Sequence, residues 1–174
     1  MKKDPEVEPR DPLVKNDLPI EGVVLQRPPL VAYEHGILVE LFRPEWLGVF
    51  EPGDGFGHLY FINNPQQGGR GEWHKHDLTL DRYSVVKGVL ELILWDAREG
   101  SASKDVQMSV TLEAGSLERY SMARIPPGVW HTLIWKSVDG GILVNAKDPA
   151  FVHADPDKYR LPFDTKPPKP VHYF

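Results

Sequence analysis

Two histidines one residue apart, His74 and His76, stand in the stretch GGRGEWHKHDLTLDRYSVVKG between glycine-marked turns. On an extended strand alternate side chains share a face, so these two imidazoles point together while Trp73 and Lys75 point away. An imidazole changes charge near neutral pH and is also a common metal ligand, so the pair suits two chemistries. It can clasp a borderline divalent metal, or it can take and return a proton. One histidine alone on such a strand would more often be structural.

The elements around the pair are strands. Helical periodicity is nearly absent; only RPEWLGVF (residues 43–50) suggests a turn or two of helix. Short apolar runs dominate instead, among them IEGVVLQ, GILVELF, HLYFIN, VLELILW, HTLIW and GILVNA. Pro52-Gly53, Asn63-Asn64-Pro65, Pro126-Pro127-Gly128 and Asp139-Gly140-Gly141 punctuate them, which predicts an antiparallel barrel or sandwich. YSVVKGVLELILW reads as a hairpin turning at Lys87-Gly88. In its second arm Leu90, Leu92 and Leu94 share one face, and Val89, Ile93 and Trp95 share the other with Glu91, as in a central strand covered on both sides.

With 174 residues the chain fits one domain with a sizeable core. A 41% hydrophobic and 26% charged composition is that of an ordinary soluble protein, and a net charge of -5 disfavours nucleic acid or an anionic membrane as the main partner. The absence of cysteine removes disulfides, thiolate metal sites and thiol nucleophiles, and it fits a cytoplasmic location. The start, MKKDPEVEPRDPLVKNDLP, has lysines but no apolar run behind them, so it is read as an arm rather than a secretory signal. The expected organisation is an N-terminal arm over residues 1–18, a barrel over 19–164, and an extended proline-rich tail over 165–174. The arm and the IEGVVLQ run are expected to leave an unpaired strand edge, which pairing with a second subunit would cover.

Gly68, His74-x-His76, Asp81 and Gly88 together resemble the first sequence motif of the cupin superfamily, with Asp81 where glutamate is usual. PPGVWH, residues 126–131, resembles the core of the second motif, which contributes a third histidine, here His131. The resemblance implies an all-β double-stranded β-helix, a jelly-roll barrel with minor short helices, and the three histidines in its mouth. In a metal-dependent cupin, a dioxygenase or sugar isomerase, the ligands would be His74, His76, Asp81 and His131.

From about residue 20 to 164 the chain also resembles the dTDP-4-dehydrorhamnose 3,5-epimerase family, which uses the same barrel without a metal. The landmarks are EHGILVELF with Gly36 and Glu40, INNPQQGGRGEWH, VKGVLELILWDAREGS with Asp96 and Arg98, IPPGVWHTL, and DPDKYRLPFD. The resemblance implies a cofactor-independent isomerase or epimerase acting on a dTDP-linked 4-keto-6-deoxy sugar, assembled as a homodimer, with neither nucleic acid nor membrane as partner. His74 takes the place of the general base and Asp164 that of the aspartate orienting it. Arg70, His76, Arg82, His131 and Glu40 would bind substrate, Arg70 at the diphosphate and Arg82 as the cation beside the enolate. The family's general-acid tyrosine has no counterpart in GILVNAKD, where Val144 or Asn145 falls at that place; Tyr33, Tyr60 and Tyr83 are the tyrosines that can stand in. A non-catalytic cupin that binds a sugar or nucleotide is the remaining class.

Overall fold

The structure, a computed structural model, describes residues 12–46, 50–51, 53–165 and 171–172. Its strands in chain order are β1 (Leu13–Lys15), β2 (Val24–Arg27), β3 (Leu30–Tyr33), β4 (Gly36–Val39), β5 (His58–Asn64), β6 (Trp73–Lys75) and β7 (Leu80–Lys87). They continue as β8 (Val89–Asp96), β9 (Gln107–Glu113), β10 (Met122–Ile125), β11 (Val129–Trp135), β12 (Gly141–Asp148), β13 (Tyr159–Leu161) and β14 (Val171–His172). No helix occurs among the described residues. The short helix expected at residues 43–50 is therefore corrected where it can be seen: Arg43 to Trp46 makes a turn, closed by Trp46 N–H donating to the Arg43 carbonyl, and residues 47–49 lie outside the described set.

Two sheets face each other across the core. One runs β1-β2-β10-β7-β12-β5 and the other β13-β6-β11-β8-β9-β14, with β3-β4 as a separate hairpin. The pairing is antiparallel throughout except for β14 beside β9. This is the jelly-roll barrel that the sequence motifs implied. The expected strand edge lies in the arm: β2, from the IEGVVLQ run, is held between β1 and β10, and residues 13–15 of the arm form the outer strand among the described residues. The opposite outer strand is β5, with Leu59 62% and Phe61 68% exposed.

The core follows the two-residue period. Leu90, Leu92 and Leu94 are fully buried, each contributing roughly 1.5–3 kcal/mol of transfer free energy. The other face of β8 is only half-buried, although β8 is central, between β11 and β9. The β7–β8 turn needs Gly88, which sits at φ +86° against the Gly140 carbonyl. At the start of β12 a Cβ on Gly141 would lie 2.0 Å from the Trp135 ring. Glycine there leaves room for that indole, which walls the site described next.

Candidate active site

β6 and β11 are antiparallel neighbours with His74 opposite His131, so both imidazoles project from one sheet toward the barrel interior, their ring centroids 4.0 Å apart. His76 follows β6 and points the same way; Trp73 and Lys75 point outward, Lys75 over the Tyr159 ring. Across the barrel, β7 turns Asp81 and Tyr83 inward, and β12 places Lys147 opposite Asp81 and Asn145 opposite Tyr83. Asp81, Tyr83, His76, His131, Asn145 and Lys147 are all nearly inaccessible to solvent. Polar groups buried this deeply must satisfy one another.

They do so as one network. The Tyr83 hydroxyl lies 3.2 Å from Nε2 of His74 and 3.2 Å from Nε2 of His131. Both rings hold Nδ1 against a backbone carbonyl, His74 on Glu72 at 3.2 Å and His131 on Val129 at 3.1 Å. A carbonyl only accepts, so both Nδ1 atoms carry hydrogen. Asp81 reaches His131 Nε2 at 3.3 Å, His76 Nε2 at 3.5 Å and Lys147 Nζ at 3.4 Å, and it accepts from Asn145 Nδ2 at 2.7 Å. Lys147 donates to His76 Nε2 at 3.0 Å, and His76 Nδ1 donates to the Asp157 carbonyl.

The electrostatics follow from this packing. Burial, then the neighbouring His131 and Lys158, pushes His74 down to about 2, so it is a neutral imidazole at physiological pH. Burial also lowers His76, against the pull of Asp81. Burial alone would raise Asp81, but the hydrogen bond to His131 and the nearby His131, Lys147 and His76 hold it well below the usual carboxylate range. Burial and the neighbouring Asp81 charge raise Tyr83 well above an ordinary phenol, so its hydroxyl stays protonated.

A cavity of about 240 Å³ opens onto His74, Tyr83, Tyr60 and Trp135. Arg70, Lys158 and Arg160 give it a cationic lining. Arg70 stacks on the Phe163 ring at 4.8 Å, and Arg160 pairs with Glu72 at 2.9 Å. The indole N–H of Trp135 is buried without a hydrogen-bond partner among the described residues. A second cavity of about 240 Å³ shares Tyr60 and Lys158 and reaches Lys147.

Several expected roles change. Arg82 projects from the opposite face of β7, where it pairs with Asp54 at 2.7 Å and stacks on Phe50 at 4.0 Å, so it is not the cation at the site. Alternation along β7 makes this inevitable once Asp81 and Tyr83 face inward. The cations the sequence reading missed are Lys147, on the strand where a tyrosine was sought, and Lys158. Asp164 sits in an exposed turn without a hydrogen bond or ion pair among the described residues; the Glu72 carbonyl orients His74 instead. The C-terminal segment does run beside His74, with Arg160 opposite it in the β13–β6 pair. His76 and His131 lie behind the cavity wall rather than on it. Glu40 is half-exposed beside Arg43, outside both cavities. Tyr33 lies in the β3–β4 hairpin.

His74, His76 and His131 can bring one nitrogen each within 4.8 Å of one another, the spacing of a metal clasp. Two of the three donor atoms are engaged at any moment: the single Tyr83 hydrogen serves Nε2 of either His74 or His131, and the Lys147 ammonium holds Nε2 of His76. A divalent ion would have to share this space with an ammonium that already pairs with Asp81. The residues present therefore fit a metal poorly. Asp81, the fourth ligand expected in a metal-dependent cupin, does contact two of the histidines, His76 and His131.

No family model and no curated protein sequence matches the chain. Solved structures do. A dTDP sugar isomerase from Desulfovibrio desulfuricans G20 superposes with a TM-score of 0.72 at 25% identity, over 84% of this chain and 88% of that one. A 3,5-epimerase for dTDP-4-dehydrorhamnose from Bacillus anthracis str. Ames, with TDP and pyrophosphate bound, gives 0.74 at 16% identity over 92% and 95%. A 3'-monoepimerase from Streptomyces bikiniensis in complex with dTDP-quinovose gives 0.71 at 20% identity over 84% and 73%. The chain has the fold of the dTDP-sugar epimerases and isomerases. Within that fold, this chain carries a buried aspartate–lysine pair, Asp81 and Lys147, beside its histidines.

Proposed function

We propose that the protein is an isomerase or epimerase acting on a dTDP-linked 4-keto-6-deoxy sugar, working by proton abstraction next to the ketone. The observation that carries this reading is a neutral imidazole, His74, in the wall of a cavity lined by Arg70, Lys158 and Arg160. A cationic lining suits the diphosphate, arginine by paired hydrogen bonds and lysine as a point charge. The neutral ring is the form that can accept a proton from carbon. Lys158, which lines both cavities, supplies positive charge for the enolate oxygen. Tyr60 is the proposed acid: its oxygen already accepts from Asn145 at 2.9 Å, so the O–H is directed by that contact and stands in the same cavity as His74. Burial, reinforced by Asp81, keeps Tyr60 protonated.

The likeness to dTDP-sugar enzymes supports the same substrate class. The test is incubation with dTDP-4-keto-6-deoxyglucose in deuterated water, following deuterium at C3 and C5 by NMR. Incorporation at one or both carbons is the expected result; nucleotide binding without any exchange would leave a binding protein instead. We further propose a homodimer, on the outward apolar side chains of the outer strand β5, Leu59 and Phe61, and of the β3–β4 hairpin, Ile37 and Leu38. A monomer in sedimentation at micromolar concentration would contradict it.

A further inference from the structure

We propose that Tyr83 is a proton relay: its hydroxyl carries the proton that His74 takes from the substrate on to His131 and Asp81, and returns it along the same path. The substrate end of this relay rests on the function proposed above; the buried end rests on the hydrogen-bond geometry around Tyr83.

The hydrogen-bond count there is unbalanced in one specific way. His74 and His131 each spend the Nδ1 hydrogen on a backbone carbonyl, which leaves two bare Nε2 atoms when both rings are neutral. One hydroxyl, that of Tyr83, lies 3.2 Å from both, and it has one hydrogen to give. The chain therefore has two arrangements. In the first, Tyr83 donates to His131 Nε2 and leaves the lone pair of His74 open to the cavity. In the second, His131 carries an added proton on Nε2, which it offers to Asp81 Oδ2 at 3.3 Å, and Tyr83 donates to His74 instead.

Passing from the first to the second takes up one proton. The C–H bond next to the ketone breaks, its electron pair becomes the enolate, and its proton bonds to His74 Nε2. That N–H then gives its proton to the Tyr83 oxygen as the phenolic hydrogen moves to His131 Nε2. Each O–H or N–H bond broken is replaced by one formed, no electrons leave the chain, and reversal delivers the proton back through His74. The gain is electrostatic. His74 is buried near the Lys158 ammonium, which opposes its protonation, whereas Nε2 of His131 lies 3.3 Å from the Asp81 carboxylate. Because Tyr83 is held far from ionisation, it passes protons without stopping as phenolate. Asn145 and Lys147 fix the other Asp81 oxygen, keeping Oδ2 aimed at His131 and His76.

The test is Tyr83→Phe, which keeps the ring and deletes the hydroxyl. Deuterium wash-in from dTDP-4-keto-6-deoxyglucose should slow by ~10²-fold or more, the usual worth of a proton-transfer group. Affinity for dTDP should be unchanged, which also reports that the variant folds. The dependence of the wild-type rate on deuterium fraction should be curved, with several protons in flight, and should become linear in the variant. Exchange at the wild-type rate in Tyr83→Phe would overturn the relay. A second readout needs no substrate. In ligand-free protein, Tyr83→Phe should move the ¹⁵N resonances of His74 and His131 Nε2 and leave that of His76, which Lys147 holds. Unmoved His74 and His131 resonances would also overturn it. If the wild-type protein exchanges no keto sugar, the function proposed above fails, and the resonances still decide the relay.

Discussion

Replacing Lys147 by methionine keeps the length of the side chain and removes an ammonium 3.4 Å from Asp81 and 3.0 Å from His76. The two ion-pair partners are 5% and 1% exposed, so water cannot take over the lost contact. Removing one member of a buried pair costs ~3–5 kcal/mol, because it strands the other charge. Asp81 keeps Asn145 at 2.7 Å and His131 at 3.3 Å. Those contacts place the expected loss at the lower end, about 3 kcal/mol. For a domain of this size that corresponds to a fall in Tm of roughly 6–12 °C. Thermal and urea unfolding of the wild type, Lys147→Met, Asp81→Asn and the double variant give the magnitude and the coupling. The double variant should be more stable than the sum of the single losses predicts, because no charge is left unpaired. A second consequence is measurable by calorimetry. With its donor gone, His76 Nε2 joins a more accessible trio, so Lys147→Met should bind Zn²⁺ or Ni²⁺ more tightly than the wild type. A methionine variant that melts with the wild type and gains no metal affinity would show that the ammonium does not sit in the network.

His74→Ala should slow deuterium exchange by ~10²–10⁴-fold, while Asp164→Asn should exchange near the wild-type rate, because the Glu72 carbonyl orients the ring; strong loss in Asp164→Asn would restore the aspartate as orienter. Arg70→Met and Lys158→Met should each weaken dTDP binding by the worth of a charge-assisted hydrogen bond, ~1.5–3 kcal/mol, and the loss should shrink in high salt; titration calorimetry at two salt concentrations checks this. His74 falls from 6.5 to about 2 on folding, so its contribution to stability is fully present above about pH 6.5 and is lost as pH falls toward the folded value. Stability of the wild type should therefore decline below pH 6.5 more steeply than that of His74→Gln, by up to about 1.4 kcal/mol per pH unit. Equal slopes in urea titrations from pH 7 down to about pH 5 would refute the assignment.

The barrel was legible because its signal is local. Alternation in VLELILW, the Lys87-Gly88 turn and the Asp139-Gly140-Gly141 turn each specify a strand or its end without reference to distant residues. The meeting of His74, His76 and His131 was also legible, because two motifs of known order carry them. What stayed hidden depends on register between strands far apart in sequence. Lys147 faces Asp81 only because β12 pairs with β7, and nothing in GILVNAKD marks its lysine as buried. Arg82 was misplaced by one position, and in a strand one position reverses the face. Asp164 was assigned from its place in a C-terminal segment, but a backbone carbonyl occupies the atom it was meant to hold, and backbone groups leave no trace in residue identity.

The Asp157 carboxylate accepts from the amides of Asp77, Leu78 and Thr79 and from the Thr79 hydroxyl, all at 2.8–2.9 Å. Its own carbonyl takes the hydrogen of His76 Nδ1, and Lys158 follows it directly into both cavities. One residue thus couples the turn after the histidines, the orientation of His76 and the placement of a cavity cation. Three of its four carboxylate contacts are to main chain, which every residue except proline can offer. The side chain of Leu78, 74% exposed, is therefore free to drift or to be engineered without loosening the cavity wall, whereas that of Asp77 is tied to Lys75. Asp157 itself has no such latitude.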